Sequence, residues 1–301
     1  MWFWLALITL ICWSGSDLFS KIGCRDGRDK YGHLKMVMAV GVVMGLHAAY
    51  EIFIGGTVIN LSIMLTYLPV SLLYILSMAM GYLGLRYIEL SISSPICNAS
   101  GAVVAILAII TGTAGEMEWP QYLAVGLACA GVIGLGFVEA NEDDALRAAR
   151  QEASNYKYAK SWLALALPLA YCLLDAAGTF ADALVLENLN EDSANVAYEL
   201  TFLAAGVVCF IYTVIIKKQK LLPKMEGPKY VGAIFETAGQ FTYIMALASG
   251  NAALAAPIIS SYCMASVLWS RIFLKEKLSR KHYACIAVTF AGILIMGIYD
   301  M

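Results

Sequence analysis

Ten apolar stretches of about 20 residues follow one another along the chain, each separated from the next by a short polar connection. They cover 2–22, 34–55, 67–86, 91–112, 119–138, 160–186, 194–217, 229–248, 252–274 and 281–299. In a bilayer such segments must be helices, because a lipid-exposed backbone has to satisfy its own hydrogen bonds, and the roughly ten-residue alternation of a barrel strand is missing. Turn signals fall at the expected boundaries: Gly55-Gly56 after the second stretch, Trp119-Pro120 opening the fifth, Pro223 and Gly227-Pro228 before the eighth. The pattern predicts an all-α integral membrane protein with ten transmembrane helices.

The basic residues give this pattern an orientation. The first connection holds Lys21, Arg25, Arg28, Lys30 and Lys35; the third, Arg86; the fifth, Arg147, Arg150, Lys157 and Lys160. The seventh holds Lys217, Lys218, Lys220, Lys224 and Lys229, and the ninth holds Arg271, Lys275, Lys277, Arg280 and Lys281, which accounts for all 20. The even connections and both termini carry none, so the odd connections are expected in the cytoplasm and both termini outside a multi-pass plasma-membrane protein. Residues 139–159 have no Gly or Pro and put Glu142, Asp143 and Asp144 ahead of Arg147, Arg150 and Lys157, which predicts a short cytoplasmic linker helix. It divides the chain into 1–138 and 160–301, five helices each, and an odd number per half turns one half upside down relative to the other.

Composition narrows the function. A chain that is 60% hydrophobic and 14% charged is too apolar for a soluble enzyme, since soluble domains average about 25% charged residues. Ten crossings also leave no room for a separate catalytic domain. A net charge of −2 excludes a nucleic-acid binder that works through an overall basic field. Seven of the eight cysteines lie inside apolar stretches without CxxC pairing and read as small hydrophobes. The first stretch lacks a basic leader and has Asp17 where a cleavage site would follow, so it is expected to stay as a helix. Phosphate-loop, His-Glu-x-x-His and Gly-x-Ser-x-Gly motifs are missing, and no cofactor or metal is expected.

An internal repeat follows from sliding the second half over the first by 158 residues. Trp4-Leu5-Ala6-Leu7 falls on Trp162-Leu163-Ala164-Leu165, Trp13 on Tyr171 and Asp17 on Asp175. With small gaps, Pro95 pairs with Pro257, Glu116 with Glu276, Tyr122 with Tyr283, Gly131 with Gly292 and Gly136 with Gly297. The Asp, Pro and Glu matches weigh most, being scarce inside membranes. Inverted repeats of membrane helices are a basis for alternating access. Each half ends in a Glu-x-x-small/polar turn and a Gly-rich last helix, clearest in Glu276-Lys277-Leu278-Ser279 followed by Gly292 and Gly297. On these residues, and above all on the stretch from Ala246-Leu247 to Gly297, nearly the whole chain resembles the drug/metabolite transporter superfamily. The resemblance implies a ten-helix transporter of two inverted five-helix repeats, in a superfamily whose substrates span amino acids, nucleosides, sugars, sugar phosphates and toxic cations. Two departures stand out. Pro257 precedes Glu276 by 19 residues and Pro95 precedes Glu116 by 21, farther than in many relatives, so the kinks are expected nearer the helix starts. Glu116-Met117-Glu118-Trp119 is a weak form of the motif.

Acidic residues inside the stretches are the sharpest candidates for function, since a charge at mid-membrane costs at least about 2.5 kcal/mol on insertion scales. Asp17 and Asp175 each follow an aromatic by one turn, Trp13 and Tyr171, so ring and carboxylate share a face suited to an organic cation. Ion pairing of Asp17 with Lys21, or a hydroxyl bonded to Asp175, is the structural alternative. Glu236, with Gln240 one turn on, Tyr243 nearby and Tyr74 as its aligned counterpart, has the asymmetry expected of a proton-coupling site, with a helix-helix hydrogen bond as the alternative; Asp175 is the other candidate for proton coupling. Asn98 and Tyr262 lie just past Pro95 and Pro257, where a proline opens the helix and polar side chains line a cavity. Glu51, Glu199 and Asp182 lie toward outer ends and are expected to reach water, and His47 is expected to be a hydrogen-bonded packing residue. Arg86 and Arg271 read as orientation signals or gate ion pairs, and Gly41-xxx-Gly45 as a close helix contact.

The reading is a secondary active transporter of a small polar or cationic metabolite, working by alternating access, with protons as the candidate coupling ion. The alternatives are an intramembrane enzyme using Asp17 and Asp175 as a carboxylate pair and a non-transporting receptor or assembly subunit. Neither needs two inverted halves. The expected partners are the small-molecule substrate and the lipid bilayer; oligomeric state is left open by the sequence.

Overall fold

The computed structural model describes residues 1–26, 29–88, 90–140, 163–249, 252–276 and 278–299, and these contain helices and no strand. The helices are α1 (Trp2–Cys24), α2 (Gly32–Tyr50), α3 (Leu61–Tyr87), α4 (Leu90–Cys97), α5 (Ser100–Thr111), α6 (Trp119–Ala140), α7 (Leu163–Leu186), α8 (Glu191–Phe210), α9 (Pro223–Ser249), α10 (Ala252–Ser260), α11 (Tyr262–Trp269) and α12 (Arg280–Tyr299). Wider π-helical turns extend α2 over Glu51–Gly55, α8 over Ile211–Ile216 and α11 over Ser270–Leu274. Each predicted stretch is occupied, and most of the predicted linker lies outside the described residues.

Boundaries differ where side chains cap the backbone. α3 starts six residues early because the Asn60 side chain accepts from the Ile63 N–H (2.9 Å), and α8 starts at Glu191 because Asn190 does the same for Ser193 (3.1 Å). The fourth and ninth stretches are each broken in two, at Asn98-Ala99 and at Ser261, one turn after Pro95 and Pro257. Side chains take up backbone carbonyls at both breaks: Asn98 Nδ2 donates to the Ser94 carbonyl (2.8 Å) and Ser261 Oγ to the Pro257 carbonyl (2.7 Å).

Nine spans among the described residues are long and apolar enough to cross a membrane. α9 is not among them, because it carries Lys224, Glu226, Lys229 and Glu236. It packs along α1 and also against α2, α7, α8 and α10, which bury Glu226, Lys229 and Glu236, while Lys224 and an apolar flank with Val231 and Ile234 stay exposed. The other extensive pairings are α3 with α7, α2 with α8, α6 with α12, and α5 with α10. Each of these joins an element before residue 141 to one after 162. The chain is therefore a multi-pass helical membrane protein whose two sequence halves interlock rather than fold side by side.

Contacts sort the connections onto two ends. Arg86, in the third connection, donates to the Asp29 carbonyl in the first, and Lys35 donates to the Lys220 carbonyl in the seventh (3.0 Å). At the opposite end Ser193 Oγ bonds the Val58 carbonyl (2.8 Å), joining the sixth connection to the second. The first, third and seventh connections thus share one end of the bundle and the second and sixth share the other.

Candidate functional site

Between the two ends lies an internal cavity of about 60 Å³, room for a few water-sized groups. Nine of the ten sequence candidates line it: Trp13 and Asp17 from α1, Tyr74 from α3, Asn98 at the first helix break, Tyr171 and Asp175 from α7, Glu236 and Gln240 from α9, and Tyr262 at the second break. The tenth, Tyr243, lines a smaller adjoining cavity together with Trp13, Asn98, Tyr171, Asp175 and Tyr262. No lysine, arginine or histidine is among the described residues lining either one. The aromatic wall is continuous: the Trp13 ring lies 5.0 Å from that of Tyr243 and 5.7 Å from that of Tyr262.

The carboxylates are held differently. Asp17 Oδ2 accepts from Ser94 Oγ (2.5 Å) and Ser266 Oγ (2.8 Å), one on each broken helix, and so ties α4 to α11. It does this without Lys21, whose ammonium is turned to the carbonyls of Leu85 (2.9 Å) and Ile88 (2.6 Å). Asp175 is faced by Ser100 without forming a hydrogen bond of ordinary geometry. Glu236 is buried opposite Ser16, close enough to feel both aspartates. Around them Trp13 Nε1, Tyr82 Oη, Ser100 Oγ and Gln240 Nε2 are buried with no partner among the described residues. Buried donors are nearly always paired, so four of them beside three carboxylates mark a place built to hold something polar.

Two buried polar layers lie toward the two ends of the bundle, and the sequence reading missed both. At the odd-connection end, beyond Leu85, Lys35 bridges Asp29 (3.1 Å) and Glu226 (3.2 Å), and Lys229 bridges the same two carboxylates (3.2 and 3.1 Å). This is a ring of alternating charge. Lys35 and Lys229, counted from sequence as markers of a wet face, are buried, Lys229 completely. At the even-connection end Asp182 accepts from Tyr67 Oη (2.7 Å) and Tyr74 Oη (3.3 Å), and Tyr74 Oη meets Tyr243 Oη at 2.5 Å. Asp182 and Glu199 do not reach water as expected: both are fully buried, Glu199 against His47 Nδ1 (2.8 Å) and Asn195 Nδ2 (3.1 Å). Glu51 stays partly exposed. The signal that could have found Asp182 is its spacing of seven residues from Asp175, which puts both on one face of α7.

The fold and site define the class as a multi-pass helical membrane protein with a polar, acid-lined cavity. The profile of the EamA-like transporter family, a branch of the drug/metabolite transporter superfamily, matches residues 162–298. Over those residues the chain is thus similar to a family of transporters rather than enzymes. No curated protein matches the sequence. A solved structure titled only "Crystal structure of protein" superimposes with a TM-score of 0.67 at 11% identity, covering 98% of this chain and 96% of the other. That likeness shows the fold alone, and it extends through both halves.

Proposed function

We propose that the protein is a secondary active transporter that carries a small organic cation through the central cavity by alternating access, coupled to protons through Asp175 or Glu236. The observation that carries this reading is the lining: three carboxylates, a wall of aromatic rings and no basic residue among the described ones. An ammonium group finds both a counter-charge and ring faces there, while the partnerless donors of Trp13, Tyr82 and Gln240 suit an oxygen on the same substrate. A phosphate or sugar phosphate would meet only like charge.

Reciprocal contacts support the two-repeat reading. A Cβ on Gly81 would come within 2.9 Å of the Tyr171 ring, and a Cβ on Gly239 would strike the Trp13 ring; one offset of 158 residues relates both glycines and both rings. It also puts Met78, not Tyr74, opposite Glu236, and both line the cavity. Likewise Gly131 packs against Cys285 and Thr289 while Gly292 packs against Ala124 and Ala128, each pair 161 residues apart. Such exchange supports two structurally equivalent halves related by inversion, the arrangement on which alternating access rests.

Purified protein in liposomes tests the reading with radiolabelled ethanolamine as the cation and glycerol phosphate as the anion. Ethanolamine uptake driven by a pH gradient is expected, with none for the anion. Removing the counter-charge of a buried ion pair costs about 2–5 kcal/mol, so Asp175→Asn should weaken ethanolamine binding about thirtyfold or more. Glu236→Gln should remove the pH dependence. Unchanged flux and pH dependence in both variants would sink the coupling. For orientation, a C-terminal reporter that fluoresces only in the cytosol is expected to stay dark.

A further inference from the structure

Asp182 belongs to no part of the cavity chemistry above. It sits two turns beyond Asp175 on α7, fully buried. The ionisable groups that face it are Tyr67 and Tyr74 from α3 and Tyr243 from α9, with Tyr198 of α8 packed edge-on to Tyr74. Of the other helices against α7, α5 and α10 contain no ionisable residue and α4 contains only Cys97. No described lysine or arginine is within ion-pairing distance of it. An ionised carboxylate buried without a base is expensive, yet these neighbours serve either charge state. The anion accepts from two hydroxyls at once; the acid donates to one hydroxyl oxygen and still accepts from another. Tyrosine hydroxyls reverse direction freely, and either oxygen of the Tyr74–Tyr243 pair can be the donor.

We propose that Asp182 is a second proton-binding site of the transport cycle, whose charged form draws α3 onto α7 and closes the even-connection end of the cavity. This rests on the transport reading above. A proton from water on that face adds to the Asp182 carboxylate, and the bonds to Tyr67 and Tyr74 then lose the charge assistance that roughly doubles their strength. The closure loosens. Release of the same proton to the same face restores it. Tyr74 links this step to the substrate, because its hydroxyl is shared among Thr179 (3.2 Å), Asp182 and Tyr243 while its side chain lines the cavity. A ligand that engages Tyr74 withdraws it from Asp182.

The experiment uses the full chain in lipid and reads proton binding apart from transport. Infrared difference spectra between acid and alkaline pH should show a carboxylic-acid carbonyl band that Asp182→Asn removes. Asp182→Asn, fixed in the uncharged form, should make ethanolamine exchange independent of the pH on the even-connection side, where wild-type exchange is expected to slow several-fold as that side is made alkaline and the charged closure forms. Tyr67→Phe keeps the carboxylate and serves if Asp182→Asn folds poorly: the band should move to higher frequency as the carbonyl loses a donor. A band indifferent to both substitutions overturns the proposal, as does ethanolamine exchange in Asp182→Asn that keeps the wild-type dependence on the pH of the even-connection side. A wild type without ethanolamine flux, but with the band lost in Asp182→Asn, sinks the transport reading and leaves the proton site standing.

Discussion

At one end of the cavity two lysines and two carboxylates alternate in a closed ring; at the other, a lone aspartate is held by tyrosine hydroxyls. Both layers are buried and both join segments far apart in sequence, but their chemistry sets different terms for opening. The ring sits at the lysine-rich face. Opened to water, its four charges recover their hydration, so its charges are compensated by one another in the closed state and by water in the open one. The tyrosine layer depends on one charge: with Asp182 ionised its hydroxyl bonds are charge-assisted, and with Asp182 protonated only neutral hydrogen bonds remain to hold it shut. A single proton therefore suffices to change its strength, whereas no single proton undoes the ring.

The largest expected effect tests whether the ring is a unit. Lys229→Met leaves Asp29 and Glu226 buried with one base between them and should cost about 3–5 kcal/mol, read as a lowered melting temperature of the purified protein in lipid. Lys35→Met should couple to it, with the double variant departing from the sum of the single ones by about 0.5–3 kcal/mol. Additive losses would mean two independent ion pairs. Salt should change little, since the ring is shielded from bulk ions.

How much of this was legible follows from which forces are visible in one dimension. The ten stretches were readable because lipid imposes their length and apolarity, and α9 fits the count only because its charges are covered by other helices. Nine of the ten candidate side chains line the cavity and Tyr243 lines its smaller neighbour, because acids and paired aromatics inside a membrane have few other reasons to be there. The ring was invisible: Lys229 lies 200 residues from Asp29 and 194 from Lys35, and a lysine near a helix end looks the same in sequence whether it points to water or to a carboxylate. Asp182 was misjudged for the same reason. Its distance from the helix end suggested water, and only the tyrosines of α3 and α9 show why it has none.

A middle-sized effect asks whether the two halves contribute equally to the cavity between the two layers. Gly81→Ala and Gly239→Ala each press a methyl onto a cavity aromatic, Tyr171 in one case and Trp13 in the other. Crowding of this kind costs about 1–3 kcal/mol. If the halves are equivalent the two variants should weaken ethanolamine binding to similar degrees in a thermal-shift titration. A large loss in one and none in the other would confine the substrate to a single half.

The smallest effect is the most discriminating for the comparison itself. Tyr67→Phe removes the shorter of the two bonds to Asp182 and leaves a ring of the same shape, so packing is preserved and only the hydrogen bond is lost. Interhelical hydrogen bonds in membrane bundles are worth about 0.6 kcal/mol on average and at most about 1.7, far below the cost of breaking the ring. On the proposed cycle this small loss should still be visible in transport, because it falls on the layer that a proton is meant to tune: exchange of ethanolamine should become less dependent on the pH of the even-connection side while the melting temperature barely moves. If Tyr67→Phe instead destabilises as strongly as Lys229→Met and leaves the pH dependence intact, the tyrosine layer is as fixed as the ring, and the contrast between a tunable end and a locked one fails.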